Sequence, residues 1–295
     1  MSKNVVITGC SSGFGLDLAR QLAQKGHRVF ATMRGVTGKN SEIASVLKQL
    51  ADSESLQLHV VELDVTSTES VNSAATTILE SGAPDIVINN AGQMYIGVTE
   101  AFSDAELARQ LDINVVGIHR VNRAFLPAMR DNGSGLIINI SSVAGRFSAP
   151  FFGVYNASKW AVEGYSAALR GELASSGIDV VLVEPGPFST QLFPRSPQPA
   201  DADGRAATYP AELHETFAAM GAAFDEMFGD PEVPTDPQMV VDETIALCEM
   251  TPGTRPLRTV VGVNFGVDGI NEAATGFEAG VLEAFGMTEI TTLKP

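Results

Sequence analysis

The sequence predicts an α/β fold, a doubly wound parallel sheet of about seven strands with helices on both faces. Three observations predict it. The runs VVI, VFA, IVI, LIINI and VVLV are continuously apolar rather than alternating, as strands covered on both faces require. They alternate with longer segments of helical period, the pattern of right-handed strand–helix–strand units. Polar and glycine-rich stretches follow several of these runs directly, at the strand ends where open α/β sheets bind ligands.

Taken in order, "NVVITG" (4–9) is the first strand, and helix 14–25 follows it with Leu16, Leu18, Ala19, Leu22 and Ala23 on one face. "HRVFATM" (27–33) is the second strand, 40–52 a helix, and "LQLHVVELDV" (56–65) the third strand. Residues 67–81 open on Ser/Thr/Glu capping chemistry and read as a helix. "DIVINNAG" (85–92) is the fourth strand, 103–129 one long helix opened by "SDAEL", and "GLIINISS" (135–142) the fifth strand. Helix 155–175 and the sixth strand "IDVVLVEPG" (178–186) complete the regular part. Prolines 194, 197, 199, 210, 231, 234 and 237 then break the pattern around a helical piece at 211–228. An insertion at 190–237, just past a strand's carboxyl end, is where such folds place substrate loops. A helix at 239–250, a seventh strand "LRTVVGV" (257–263) and a terminal helix at 271–286 finish the chain. No internal repeat or linker separates two cores, so 1–295 is expected to be a single domain with a C-terminal extension at 264–295.

The 295 residues are 44% hydrophobic and 18% charged, the balance of a globular protein with a large core. Lysine plus arginine total 19 against 35 acidic residues, a formal charge of −16, which argues against nucleic-acid or anionic-membrane partners. Cys10 and Cys248 stand far apart with no C-x-x-C, and the four histidines show no ligand spacing, so neither a disulfide framework nor a metal site is expected. The N-terminus enters a strand without a signal-like segment, and no apolar run nears the ~18 residues of a membrane span. A cytoplasmic location is expected.

"TGCSSGFG" (8–15) joins the first strand to the first helix. Gly9, Gly13 and Gly15 allow a tight turn and a close backbone approach, and the helix N-terminus favours an anion, so the loop reads as a dinucleotide site. Ser11, Ser12 and Phe14 belong to the same turn. An NAD site expects an acidic residue about 20 positions further on. That region, "ATMRG" (31–35), holds Arg34 instead, suited to a 2′-phosphate, and the cofactor is read as NADP(H). Arg34 as a solvated loop residue of an NAD enzyme is the alternative. Asp64, with Val65 beside it, ends the third strand and either accepts from an adenine amino group or caps the strand end. In "NNAG", Ala91 and Gly92 leave room for the cofactor, and Asn90 can tie neighbouring strand ends together.

In "VYNASKWAVEG" (154–164), Tyr155 and Lys159 lie four apart, on one face of a helix. An ammonium one turn away would favour phenolate and lower a tyrosine pKa from its usual value of about 10.

"TGCSSGFG", "NNAG", "NISS", "YNASK" and "EPG", in this order and spacing, resemble the short-chain dehydrogenase/reductase family over residues 4–190, in its NADP-preferring branch of hydroxysteroid, retinol and carbonyl reductases. The resemblance implies a Rossmann-type catalytic domain. It implies Asn114, Ser142, Tyr155 and Lys159 as catalytic residues, with Tyr155 as acid/base, Ser142 donating to the reacting oxygen and Asn114 holding a relay water. It also implies cofactor contacts from Pro185, Gly186 and Phe188 and from Thr190, which would hold the nicotinamide carboxamide. "VDG" (267–269) fits the family's late glycine motif poorly, because the seventh strand ends earlier. The loops expected around the site are apolar, with Met94, Val143, Phe147 and Phe193 the best substrate contacts and Tyr95, Phe151, Phe152, Phe217, Phe224 and Phe228 as further candidates. A bulky apolar ketone or aldehyde and its alcohol therefore fit better than a charged metabolite. The alternatives are an NAD-dependent alcohol or hydroxysteroid dehydrogenase on the same site, a non-catalytic NADPH sensor, and an epimerase or dehydratase. Resemblance further implies a homodimer or homotetramer through helices 103–129 and 155–175.

Overall fold

The computed structural model describes residues 2–294. Seven parallel strands form one sheet in the order β3-β2-β1-β4-β5-β6-β7. These are Asn4–Thr8 (β1), Arg28–Met33 (β2), Leu58–Glu62 (β3), Ile86–Asn89 (β4), Gly135–Ile140 (β5), Ile178–Pro185 (β6) and Arg258–Val261 (β7). Alternate residues of each strand serve opposite faces. Val5 and Ile7 of β1 join a core with helices Gly13–Gln24 (α1) and Ser41–Glu54 (α2), whereas Val6 joins a second core beneath Thr68–Leu79 (α3). Both layers are dry, which is why the strand sequences show no polar alternation.

The sheet grows outward in both directions from the β1–β4 pair. At such a switch point the two connecting helices diverge to opposite faces and leave a crevice at the carboxyl ends of the strands.

A buried polar ladder fixes the neighbouring register. Asn89 Nδ2 donates to Asn139 Oδ1 at 2.8 Å and to Asn122 Oδ1 at 3.0 Å, and Asn139 Nδ2 donates to Ser166 Oγ at 2.8 Å. These residues tie β4 and β5 to helices Gly117–Asn132 (α5) and Gly153–Ala174 (α6), with Asp104–Leu111 (α4) preceding α5.

Several boundaries differ from expectation. The third strand stops at Glu62 rather than 65, where its carboxylate turns to accept from the Gly35 and Val36 N–H groups at 2.6 and 2.7 Å. The single helix expected over 103–129 is interrupted by a π turn, Asp112–Val116, between α4 and α5. The last helix, Val267–Ala284 (α9), starts four residues before the expected 271, and β7 ends at Val261, well short of 267–269. Ala211–Gly229 (α7) and Gln238–Glu249 (α8) lie close to their expected ranges. No helix among the described residues is long and apolar enough to cross a membrane.

Candidate active site

At the switch point a cavity of about 780 Å³ runs across the carboxyl ends of the central strands. Its wall brings together Gly9, Ser11, Ser12, Gly13 and Phe14 from the β1–α1 turn, Arg34 after β2, Asp64 and Val65 after β3, and Asn90, Ala91, Gly92 and Met94 after β4. Ser142, Val143 and Phe147 follow β5, Tyr155 and Lys159 come from α6, and Pro185, Gly186, Phe188, Thr190 and Phe193 follow β6. Of the residues expected to be catalytic or to hold the cofactor, two are not on this wall, Gly15 and Asn114.

Gly15 acts on the turn rather than at the cavity surface. A Cβ there would collide with the Asn90 side chain and the Gly9 carbonyl, so helix α1 could not sit this close to β1 and β4 with any other residue. Gly9 is at φ +75°, and a Cβ on it would lie 2.8 Å from the Ala91 Cα. Asn90 Nδ2 donates to the Thr8 carbonyl at 2.9 Å, tying the ends of β1 and β4 together. Ser12 caps α1 without a side-chain hydrogen bond, leaving the first N–H groups of that helix facing the cavity. Such free donors at the positive end of a helix suit a diphosphate.

Asp64 shows which of its two readings the geometry favours. Its Oδ1 accepts from the Thr66 N–H at 2.9 Å and the Thr66 hydroxyl at 2.7 Å. Burial opposes the charge, but these bonds outweigh it and hold the carboxyl below its ordinary pKa. The carboxylate is a strand-end cap first, on a residue that also lines the cavity.

Around Tyr155 the polar groups are held tightly. Ser142 Oγ accepts from the Ala144 N–H at 3.1 Å and donates to the Pro185 carbonyl at 3.3 Å. Lys159 Nζ donates to the Ile140 carbonyl at 2.8 Å and lies 5.7 Å from the Tyr155 ring centre. The tuning expected from spacing is reversed. Burial pushes the Tyr155 pKa up to about 12, with the Ser142 hydroxyl pulling the other way. The same burial lowers Lys159 to about 8, opposed by the Glu163 carboxylate. Dehydration disfavours phenolate and ammonium alike, and it is the largest cause of both shifts.

Asn114 sits in the π turn, a geometry that recurs at functional sites. Its Nδ2 donates to the Gln93 carbonyl at 2.9 Å and to Ser158 Oγ at 3.0 Å, and its Oδ1 accepts from the Gln93 N–H at 2.9 Å. The amide is a brace between the β4 loop and α6, with both donors used.

The reading from sequence missed several wall residues. Asn156, inside the YNASK stretch, donates to the Ala144 and Phe147 carbonyls at 2.7 and 3.0 Å and shapes the loop carrying Ser142. Arg195, in the proline-broken insertion, reaches Ser12 Oγ at 3.3 Å across the cavity mouth. Leu192, Met220 and Phe265 complete the apolar end. Conversely, Phe151, Phe217 and Phe228 lie off this wall, and Tyr95 is buried in stacking with Phe102 at 5.7 Å. Phe217 and Phe228 lie on α7, and Phe151 packs on Phe217 at 4.9 Å.

Helix α7 closes the apolar end although none of its residues is buried. Phe224 meets Phe193 at 4.8 Å and Phe152 at 6.4 Å, Phe228 meets Phe193 at 6.0 Å and Phe217 meets Phe151 at 4.9 Å, so the helix docks largely through rings.

Behind Lys159, one turn along α6, Glu163 is paired with Arg258 of β7 at 2.9 Å, and Arg258 also faces Glu184 of β6 and Glu278 of α9. Burial and the neighbouring Glu163 carboxylate hold Glu184 well above the usual carboxylate range.

Comparison with known proteins places this geometry in a group. The family model described as short chain dehydrogenase matches residues 3–200. A 3-ketodihydrosphingosine reductase of Bacteroides thetaiotaomicron is 41% identical over 63% of this chain and 64% of its own length. Human 17-beta-hydroxysteroid dehydrogenase type 1 is 40% identical over 64% of this chain and 58% of its own. The alignments thus span less than two thirds of either relative. Among solved structures, a variant of actinorhodin polyketide ketoreductase with NADPH superposes with a TM-score of 0.69, at 28% identity, over 90% of this chain and 97% of that one.

Proposed function

The chain belongs to the short-chain dehydrogenase family of oxidoreductases, and on that premise we propose that it reduces bulky apolar ketones or aldehydes with NADPH. One observation carries the reading: the phosphate-suited turn, Ser142, Tyr155 and Lys159 share a single cavity whose far end is apolar. A nicotinamide dinucleotide fits the residues present. The turn of Gly9 and the free N–H groups of α1 would hold its diphosphate, Arg34 a 2′-phosphate, and Lys159 the ribose next to the nicotinamide. When bound, the nicotinamide supplies or accepts hydride at the substrate carbon.

The chain's own residues handle the oxygen. Tyr155 donates its phenolic proton to the carbonyl oxygen, and Ser142 donates a hydrogen bond to the same atom as negative charge develops. A phenol pushed up to about 12 is protonated at neutral pH, the form reduction requires, although the same burial makes it a weaker acid. Alcohol oxidation needs the phenolate and so gains as pH rises. The charged residues on the wall, Arg34, Asp64, Lys159 and Arg195, leave the apolar end uncharged, which favours a neutral substrate.

Segment 190–237 serves as the substrate loop in this reading, with Thr190 against the carboxamide. A cytoplasmic homodimer or homotetramer through α4–α5 and α6 is part of the same reading. The exposed Leu107, Val116 and Trp160 on those elements support it. Light scattering that showed only 31.1 kDa particles would remove the oligomer.

The test follows nicotinamide absorbance with NADPH and with NADH against ketones, aldehydes and alcohols. NADPH is expected to win, and Tyr155→Phe to lose turnover by several orders of magnitude while still binding cofactor. Equal turnover in that variant sinks the assignment.

A further inference from the structure

The apolar wall of the cavity is thin on one side. Phe193, Met220 and Phe224 line the cavity from within, and the same three side chains line a second, partly open cavity of about 290 Å³ beyond them. The outer cavity runs along α7 past Ala218 and Gly221 to Phe217 and Phe228, with Ile96 opposite and Asp225 its one charged residue. Phe193 and Phe224 stand 4.8 Å apart, and between the two spaces Met220 contributes a flexible thioether chain. A rigid fused-ring molecule ends at this partition. A flexible chain passes it by a change of methionine rotamer, and no wall element has to leave.

Resting on the reductase reading, we infer that the substrate is an elongated aliphatic ketone or aldehyde whose tail crosses the Phe193–Met220–Phe224 partition into the outer cavity. The carbonyl lies at Ser142 and Tyr155, the first methylenes lie against the inner apolar wall, and the later ones lie along α7. Asp225 at the outer rim disfavours a tail that ends in a carboxylate.

A series of 2-alkanones of increasing length, assayed with NADPH, tests this. Each methylene that leaves water is expected to raise kcat/KM about fourfold, the equivalent of ~0.8 kcal/mol per buried CH₂, and the rise should continue beyond the length the inner cavity can hold. Gly221→Leu fills the outer cavity alone. A Cβ at Gly221 meets no atom within 4 Å, so the helix tolerates the change. The ratio of kcat/KM for the longest to the shortest ketone should fall at least tenfold in this variant. Ala218→Leu is a second, independent block with the same expected result. A flat length profile in the wild type, or an unaltered ratio in both variants, overturns the inference while the reductase reading stands. Failure of NADPH to bind, read by its fluorescence, together with no turnover of any ketone, overturns the reductase reading and this inference with it.

Discussion

Helix α7 offers the sharpest test of how the cavity is closed. Because none of its residues is buried, its docking depends on ring pairs: Phe224 with Phe193 and Phe152 at 4.8 and 6.4 Å, Phe228 with Phe193 at 6.0 Å and Phe217 with Phe151 at 4.9 Å. Each aromatic pair contributes roughly 0.5–1.5 kcal/mol beyond area burial. Phe224→Ala removes two of these, about 2 kcal/mol in total, which is on the order of thirtyfold in the open/closed equilibrium. The cost falls on local opening, because the sheet cores hold no α7 side chain. Limited proteolysis under native conditions should therefore cut within 190–237 between ten and a hundred times faster in the variant. In this regime cleavage follows the population of the open form. The thermal midpoint should move by no more than a degree or two. If cleavage rates matched, the rings would not be what holds the lid. If instead the midpoint fell steeply alongside faster cleavage, α7 would belong to the global folding unit and the reasoning would be wrong.

Three further outcomes are expected. Asn139→Ala leaves Asn89 Nδ2 with Asn122 as its one acceptor and removes the donor to Ser166 Oγ, costing about 2 kcal/mol and lowering the thermal midpoint by roughly 3 °C; an unchanged midpoint would show the ladder to be dispensable. Lys159 titrates at about 8 in the fold against 10.5 ordinarily, so folding disfavours its charge. The wild type should lose stability relative to Lys159→Met as pH falls from 10.5 through 8, with a flat difference below that, measured by urea unfolding; a gap constant across this window would mean the ammonium is well solvated. Arg195→Ala should raise the KM for NADPH several-fold with little change in kcat, and an equal change in both would place Arg195 in the chemistry instead of at the cofactor's edge.

What could be read from the chain, and what could not, divides by the range of the interaction. The dry layers around Val5–Ile7 and the positions of Ser142, Tyr155 and Lys159 follow from local periodicity and from motifs that sit at strand ends, so the sheet and the cluster at its switch point were legible. The π turn was not. One extra residue in a helical ladder leaves Ile113 and Ile118 buried at near-helical intervals on either side, and no residue type marks the insertion. Arg195 was equally hidden, because its contact with Ser12 spans 183 positions and arises only once the loop folds back over the cavity mouth.

The acidity of the central phenol belongs to a third class, in which spacing fixes the partner and not the sign of the effect. Four residues of helix do bring the Lys159 ammonium to 5.7 Å from the Tyr155 ring. Burial of both groups then sets the outcome, raising one pKa and lowering the other. Lys159 spends a proton on the Ile140 carbonyl instead of on the phenol, and its own charge leans on Glu163 one turn further along α6. That carboxylate pairs in turn with Arg258, so the cation beside Tyr155 stands at the end of a run of buried charges from α6 to β7. Burial and the Ser142 hydroxyl set the acidity of Tyr155 itself, and neither can be read from a four-residue spacing.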